Sequence, residues 1–165
     1  MILMEKQVKV VDGKNKVLGR LSSAVAKMLL NGEDVAVVNA EHLFISGHPR
    51  SIIGNYRQKL ELKDKANPEH SPYYSRRSDL FVKRIIRGML PYKMPRGKAA
   101  FKRLRVYIGI PEELKKSKVE EIKTKSQHQI FESTIYIKDL VQKLGTTSDI
   151  HGRNTSAGKC TRKPE

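Results

Sequence analysis

Residues 76–105, RRSDLFVKRIIRGMLPYKMPRGKAAFKRLR, set eleven Lys and Arg against one acid, Asp79. Such a segment cannot collapse on itself, because burying an unpaired charge is costly. Yet Phe81, Val82, Ile85, Ile86, Met89 and Leu90 are woven through it. At about 100° per residue, the apolar set from Phe81 to Met89 shares an arc of about 140°. Lys83, Arg84 and Arg87 fall on the nearly opposite side, with Leu80 the one apolar residue among them. The segment therefore demands a scaffold: a helix packed on one face and cationic on the other. Gly88 and Pro91 end that helix near Leu90. Residues 92–95 form a tight linker, and Pro95 is suited to opening a second short helix. That helix runs through Lys98, Ala99, Ala100, Phe101 and Leu104, with Lys102 and Arg103 on its other side.

The scaffold is legible upstream. Residues 8–11 are a β-branched run ending at the turn signal Asp12-Gly13. Leu21, Val25, Met28 and Leu29 then mark one face of a helix, which Asn31-Gly32 stops. Residues 34–38 give a second apolar strand and residues 43–46 a third. Two near-continuous apolar strands around one helix predict a right-handed βαβ unit with a buried parallel sheet. After Ser46-Gly47-His48-Pro49, the apolar Ile52, Ile53, Tyr56 and Leu60 predict an amphipathic helix to about Lys63. Arg50, Arg57 and Lys59 lie off its stripe. A polar loop over 65–75 leads into the basic segment, and residues 106–110 read as a fourth strand. Farther on, 112–118 predict an exposed helical turn, 134–137 an extended segment, and 138–144 a small helix closing at Gly145. Length is that of one domain with an extension: residues 1–145, with the core at about 8–111. Residues 146–165 form a polar basic tail, read as flexible and able to order on RNA.

A net charge of +16 and a pI near 10 call for a polyanion, of which phosphate backbones are the usual kind. No apolar run of bilayer length occurs, and MILMEKQVKV lacks the apolar stretch of a secretory leader. The single Cys160 has no internal disulfide partner and fits a reducing compartment.

Catalytic and cofactor motifs fail on inspection. GKNKVLGR, residues 13–20, has the wrong glycine spacing for a phosphate loop and no Lys-Ser/Thr pair after Gly19. No G-x-G-x-x-G occurs. His42, His48, His70, His128 and His151 show no metal-ligand spacing. Asp12 reads as the cap of its turn, and Ser22 and Ser23 have no evident base. The expectation is no catalytic residue, no metal and no cofactor.

The basic residues remain. The first group is Lys83, Arg84, Arg87, Arg96, Lys98, Lys102 and Arg103, where arginine outnumbers lysine and favours forked contact with phosphate. A second group is His48, Arg50, Arg57, Arg76 and Arg77. His48 and Arg50 stand where a helix start exposes free N–H groups. Tyr73, Tyr74 and Tyr92 border the patch, suited either to stacking on unpaired bases or to packing on the scaffold.

Two blocks carry a family resemblance. VVDGKNKVLGRLSSAVAKMLLNGEDVAVVNAEHLFISG, residues 10–47, resembles the N-terminal half of the L-thirteen family of large-subunit ribosomal proteins. RGMLPYKMPRGKAAFKRLRVYIGIP, residues 87–111, is similar to that family's signature. Its YKMPRGKAAFKRL wording resembles the archaeal and eukaryotic branch. The likeness covers roughly residues 8–114, and 136–145 resemble the family's C-terminal helix.

The resemblance implies a three-layer α/β/α fold with a mostly parallel four-stranded sheet, carrying the basic helical segment and a C-terminal extension. It implies a non-enzymatic constituent of the large ribosomal subunit, in the cytoplasm, that binds and stabilises large-subunit ribosomal RNA early in assembly. Its partners would be that RNA and neighbouring ribosomal proteins, with no membrane and no small-molecule substrate. Two other classes stay open on the residues alone. One is a small α/β RNA-modifying or nucleotide-dependent enzyme, with a pocket near Asp12 and Ser46-Gly47. The other is a free messenger-RNA-binding translational regulator.

Overall fold

The computed structural model describes residues 8–115, 119–120 and 133–145. Cys160, His128, His151, residues 116–118 of the expected helical turn and the 146–165 tail lie outside them. In chain order the elements are β1 (Val8–Asp12), α1 (Leu18–Leu30), β2 (Asp34–Val38), β3 (Phe44–Ser46), α2 (Pro49–Glu61), α3 (Ser78–Met89), α4 (Pro95–Lys102), β4 (Leu104–Val106), β5 (Val119–Glu120), β6 (Thr134–Tyr136) and α5 (Ile137–Lys143). The fold is mixed α/β, consistent with the three-layer α/β/α class.

The sheet order is β4-β2-β1-β5, and every pairing in it is parallel. β1 and β2 run in register from Val8 opposite Asp34 to Asp12 opposite Val38, joined by α1 as a βαβ crossover. Parallel strands bury both faces, which is why residues 8–11 and 34–38 are apolar without alternation. Val11, Val35, Val37 and Leu104 meet Leu21, Val25 and Leu29 of α1 and Phe81, Val82 and Ile86 of α3 in one core. Each such side chain contributes roughly 1.5–3 kcal/mol when fully withdrawn from water. α2 contributes no fully buried residue. Its Ile52, Ile53 and Tyr56 pack partly buried against the outside of that core.

The third and fourth strands differ from the sequence expectation. β3 is outside the parallel sheet and pairs antiparallel with β6, Ile45 opposite Ile135. Both sides of β2, the strand it follows, are already taken by β1 and β4. Asn39, left-handed at φ 55°, and the short 3-10 turn Ala40–His42 redirect the chain first. The fourth strand is Leu104–Val106 rather than 106–110. Leu104 therefore begins a strand instead of completing α4, which ends at Lys102. The Tyr107 N–H still donates to the Val37 carbonyl at 2.8 Å, but Gly109 at φ 68° turns the chain out of the ladder. α2 stops at Glu61, slightly before Lys63.

Candidate nucleic-acid interface

α3 presents the two faces its periodicity requires. Phe81, Val82 and Ile86 are buried, whereas Leu80 is exposed on the cationic side. Met89, expected on the buried stripe, is 41 % exposed in the last turn of the helix, while Leu90 just after it is buried in the core. Asp79, in the first turn, accepts from Arg77 Nε at 3.2 Å and Nη2 at 3.0 Å. That pair neutralises one cation of the cluster at the helix end where a carboxylate is favoured.

The remaining bases on α3 are not equivalent. Arg84 Nη1 donates to the Tyr73 carbonyl, and its guanidinium lies 3.9 Å from the centre of the Tyr74 ring. It pins the preceding loop onto α3. Lys83 reaches to 5.3 Å from the Phe101 ring, and the exposed Arg87 to 5.2 Å from the Tyr92 ring. Tyr92 and Phe101 meet edge to face at 5.4 Å. These contacts tie the outer faces of α3 and α4 into one surface. Aromatic faces attract cations without neutralising them, so Lys83 and Arg87 keep their charge available.

The angle between α3 and α4 is set by backbone. Met94 N–H donates to the Pro91 carbonyl at 3.0 Å, and Gly97 and Lys98 N–H groups both donate to the Met94 carbonyl at 3.1 Å. Gly97 is buried against the Pro91 peptide so closely that a β-carbon there would overlap the Pro91 carbonyl. The Pro-Arg-Gly wording thus packs one helix start onto the end of another.

On α4 the cations divide again. Arg103 Nη2 donates to the Leu29 carbonyl at 2.9 Å, and Arg96 Nη2 reaches the Leu30 carbonyl at 3.5 Å. Both complement the negative C-terminal end of α1. Arg103 is partly buried and Arg96 exposed. Lys98 and Lys102 are exposed, with no hydrogen bond or ion pair among the described residues.

The second group is spread along α2 and its neighbours. His48 stands at the N-cap of α2 without a side-chain cap bond, next to the exposed Arg50. Arg57 Nη2 lies 3.5 Å from the Lys143 carbonyl at the end of α5. Arg76 Nη1 lies beside Gly145. Between α2, residues 74–76 and α3 is a cavity of about 210 Å³, lined by Tyr56, Tyr74, Phe81, Lys59, Arg76 and Arg84 among others. Tyr56 and Phe81 form its inner wall, ring centres 5.1 Å apart. Burial, with Tyr74 nearby, raises the Tyr56 phenol above its ordinary pKa of 10.0.

Lys59, read from the sequence as lying off the apolar stripe and not counted among the phosphate candidates, sits 5.0 Å from the Tyr56 ring. A basic residue three positions after an aromatic on one helix can reach that ring. Lys93 and Arg105, also exposed, belong to the basic segment itself. Of the three tyrosines, Tyr74 stacks with Arg84 and Tyr92 meets Phe101 while staying 39 % exposed, whereas Tyr73 is 83 % exposed.

At the end of β1, one of the places a cofactor would sit, the chain makes contacts of its own. Asp12 Oδ1 accepts from Asn39 Nδ2 at 2.8 Å and from the Lys14 N–H at 3.0 Å. Gly13 packs against the Val38 and Asn39 carbonyls and Leu43. Asp12 thus caps its turn through Oδ1. No cluster of three or more His, Cys, Asp or Glu able to hold a metal occurs among the described residues. None of their helices is long and apolar enough to cross a membrane.

Comparison with known proteins gives a single answer. The family model described as ribosomal protein L13 matches residues 6–113. The large ribosomal subunit protein uL13 of Methanosphaera stadtmanae is 39 % identical over 146 residues, covering 88 % of this chain and 97 % of its own. Its counterpart from Archaeoglobus fulgidus is 41 % identical over 128 residues, covering 78 % and 80 %. That of Methanopyrus kandleri is 46 % identical over 111 residues, covering 67 % and 68 %.

Proposed function

The chain belongs to the ribosomal protein L13 family and is a structural constituent of the large ribosomal subunit, not an enzyme; on that premise we propose that the joined α3–α4 surface is its principal contact with ribosomal RNA. The observation that carries this reading is the set of outward cations on one rigid frame. Lys83, Arg87, Arg96, Lys98 and Lys102 sit on two helices whose angle is locked at Gly97. No acid lies within the thirty-residue segment other than Asp79, and Arg77 occupies it. Fixed cations at fixed spacing read a folded RNA by its phosphates and shape rather than by base edges. Arg84 and Arg103 act chiefly by holding the frame, one on the loop at Tyr73 and one on the end of α1. His48, Arg50, Arg57 and Arg76 make peripheral phosphate contacts, with Arg77 contributing what charge its pair with Asp79 leaves. Residues 1–145 act as one unit, and the basic 146–165 tail as an appendage that orders on RNA. The chain binds early in assembly, beside neighbouring large-subunit proteins, and stays in the cytoplasmic ribosome.

Sedimentation separates this from a free regulator of messenger RNA. The protein is expected to migrate stoichiometrically with large subunits after a high-salt wash, and recovery in the soluble fraction would favour the regulator. The double substitution Lys98→Ala, Lys102→Ala tests the surface. It is expected to weaken binding to protein-free large-subunit RNA about tenfold or more, with the unfolding midpoint unchanged. Unaltered affinity would remove α4 from the interface.

A further inference from the structure

The cavity between α2 and α3 lies beside the phosphate-binding surface, not on it. Its walls are aromatic, Tyr56, Tyr74 and Phe81, and its basic members are Lys59, Arg76 and Arg84. None of its lining residues is acidic. No carboxylate among the described residues forms an ion pair with Lys59, Arg76 or Arg84. Its volume, about 210 Å³, is below the roughly 300–1,000 Å³ of sites for drug-sized ligands. A whole dinucleotide or cofactor does not fit there; one planar ring system does. An apolar, ring-lined slot with cations around it matches a group that is aromatic at one end and anionic at the other.

We propose that this cavity receives a single unstacked nucleotide of the large-subunit RNA, its base between Tyr56, Tyr74 and Phe81 and its phosphate against Arg76 and Lys59. The inference rests on the ribosomal RNA-binding reading and deepens it, adding a point contact with a base to recognition otherwise made through phosphates. Bases extruded from loops and bulges are held in RNA complexes by stacking on aromatic rings and guanidinium planes. Arg84, already stacked on Tyr74 at 3.9 Å and bonded to the Tyr73 carbonyl, keeps that wall upright before RNA arrives. An apolar side chain from a neighbouring protein is the competing occupant, but it leaves the cations around the slot unmatched.

Gly88 lines the cavity and has nothing within 4 Å of where a β-carbon would be. Because Gly88 lies on the same α3 face as the lining residues Phe81, Arg84 and Ile85, Gly88→Phe directs a ring at the slot without removing a cation, and it replaces a poor helix former. Full-length wild type, Gly88→Phe and Gly88→Ala would be titrated with protein-free large-subunit RNA. Gly88→Phe is expected to bind about tenfold more weakly, with an unfolding midpoint at or above wild type, while Gly88→Ala binds normally. Ultraviolet irradiation of the wild-type complex is expected to leave a nucleotide adduct on a peptide containing Tyr56 or Tyr74, lost in Gly88→Phe. Equal binding by Gly88→Phe overturns the proposal while leaving the α3–α4 surface intact. If Gly88→Phe binds RNA normally but drops out of subunits reconstituted with the other proteins, the occupant is a protein side chain and the proposal fails. If wild type itself fails to bind the RNA, the functional reading falls, and the inference with it.

Discussion

Among the described glycines, Gly97 leaves the least room for a side chain. The Pro91 carbonyl and the Tyr92 nitrogen, 2.9 Å from an ideal β-carbon, are backbone atoms and cannot swing aside. Any side chain must push α4 away from the end of α3. Gly97→Ala is expected to lower stability by about 1–3 kcal/mol, as overpacked sites do, read as a fall in the urea midpoint. RNA affinity should fall with it, since the cations on α4 shift relative to those on α3. Tyr56 offers a second single-residue test. Its folded pKa is raised by burial, so the folded state favours the neutral phenol. That contribution is complete below the unfolded pKa of about 10 and is lost as pH climbs through the higher folded value. The stability of wild type relative to Tyr56→Phe should be flat up to about pH 9 and then decline. A flat difference through alkaline pH would mean that the phenol is hydrated.

Among the elements, α3 was the most legible because a 3.6-residue period survives without knowledge of its partners. The placement of Leu80 on the basic face came from that period alone, and the structure has it exposed. β3 and β4 were harder because strands of three residues carry no measurable alternation. The partner of β3, Thr134–Tyr136, lies about ninety residues downstream, and no local signal announces it. Candidate bases were legible as a cluster, but their division was not. Arg84 and Arg103 are committed to the Tyr73 and Leu29 carbonyls, acceptors that only the folded chain presents. That division can be measured. Ile86→Ala, at a fully buried position, should cost about 2–5 kcal/mol while leaving per-molecule RNA affinity unchanged under folding conditions. Arg87→Ala should do the reverse, weakening RNA binding with stability inside about 0.5 kcal/mol of wild type. Arg84→Ala should in addition speed proteolysis of the 62–76 loop, whose tether it removes. Equal cleavage rates would show that the loop is held by other contacts.

At the scale of the whole molecule, a net charge of +16 makes the free protein repel itself. Its described ion pairs are few: Lys9 with Glu33, Arg77 with Asp79, and a His42–Glu41 contact that counts only when the imidazole is charged. RNA supplies the missing anions, so folding and binding respond to salt in opposite directions. Added salt screens the repulsion and should raise the melting temperature of the isolated protein. The same salt should weaken the complex, because each neutralised phosphate releases condensed counterion. Five outward cations, Lys83, Arg87, Arg96, Lys98 and Lys102, predict a slope of log K against log salt of about −4, with Arg50 and Arg76 steepening it if they also engage. Neutralising Lys98 and Lys102 together should flatten the slope by about 1.5–2. A slope near zero in the wild type would show that the surface is not bound through its charge. A normal slope that the double variant leaves unchanged would move the interface off α4 and onto the α2 side of the molecule.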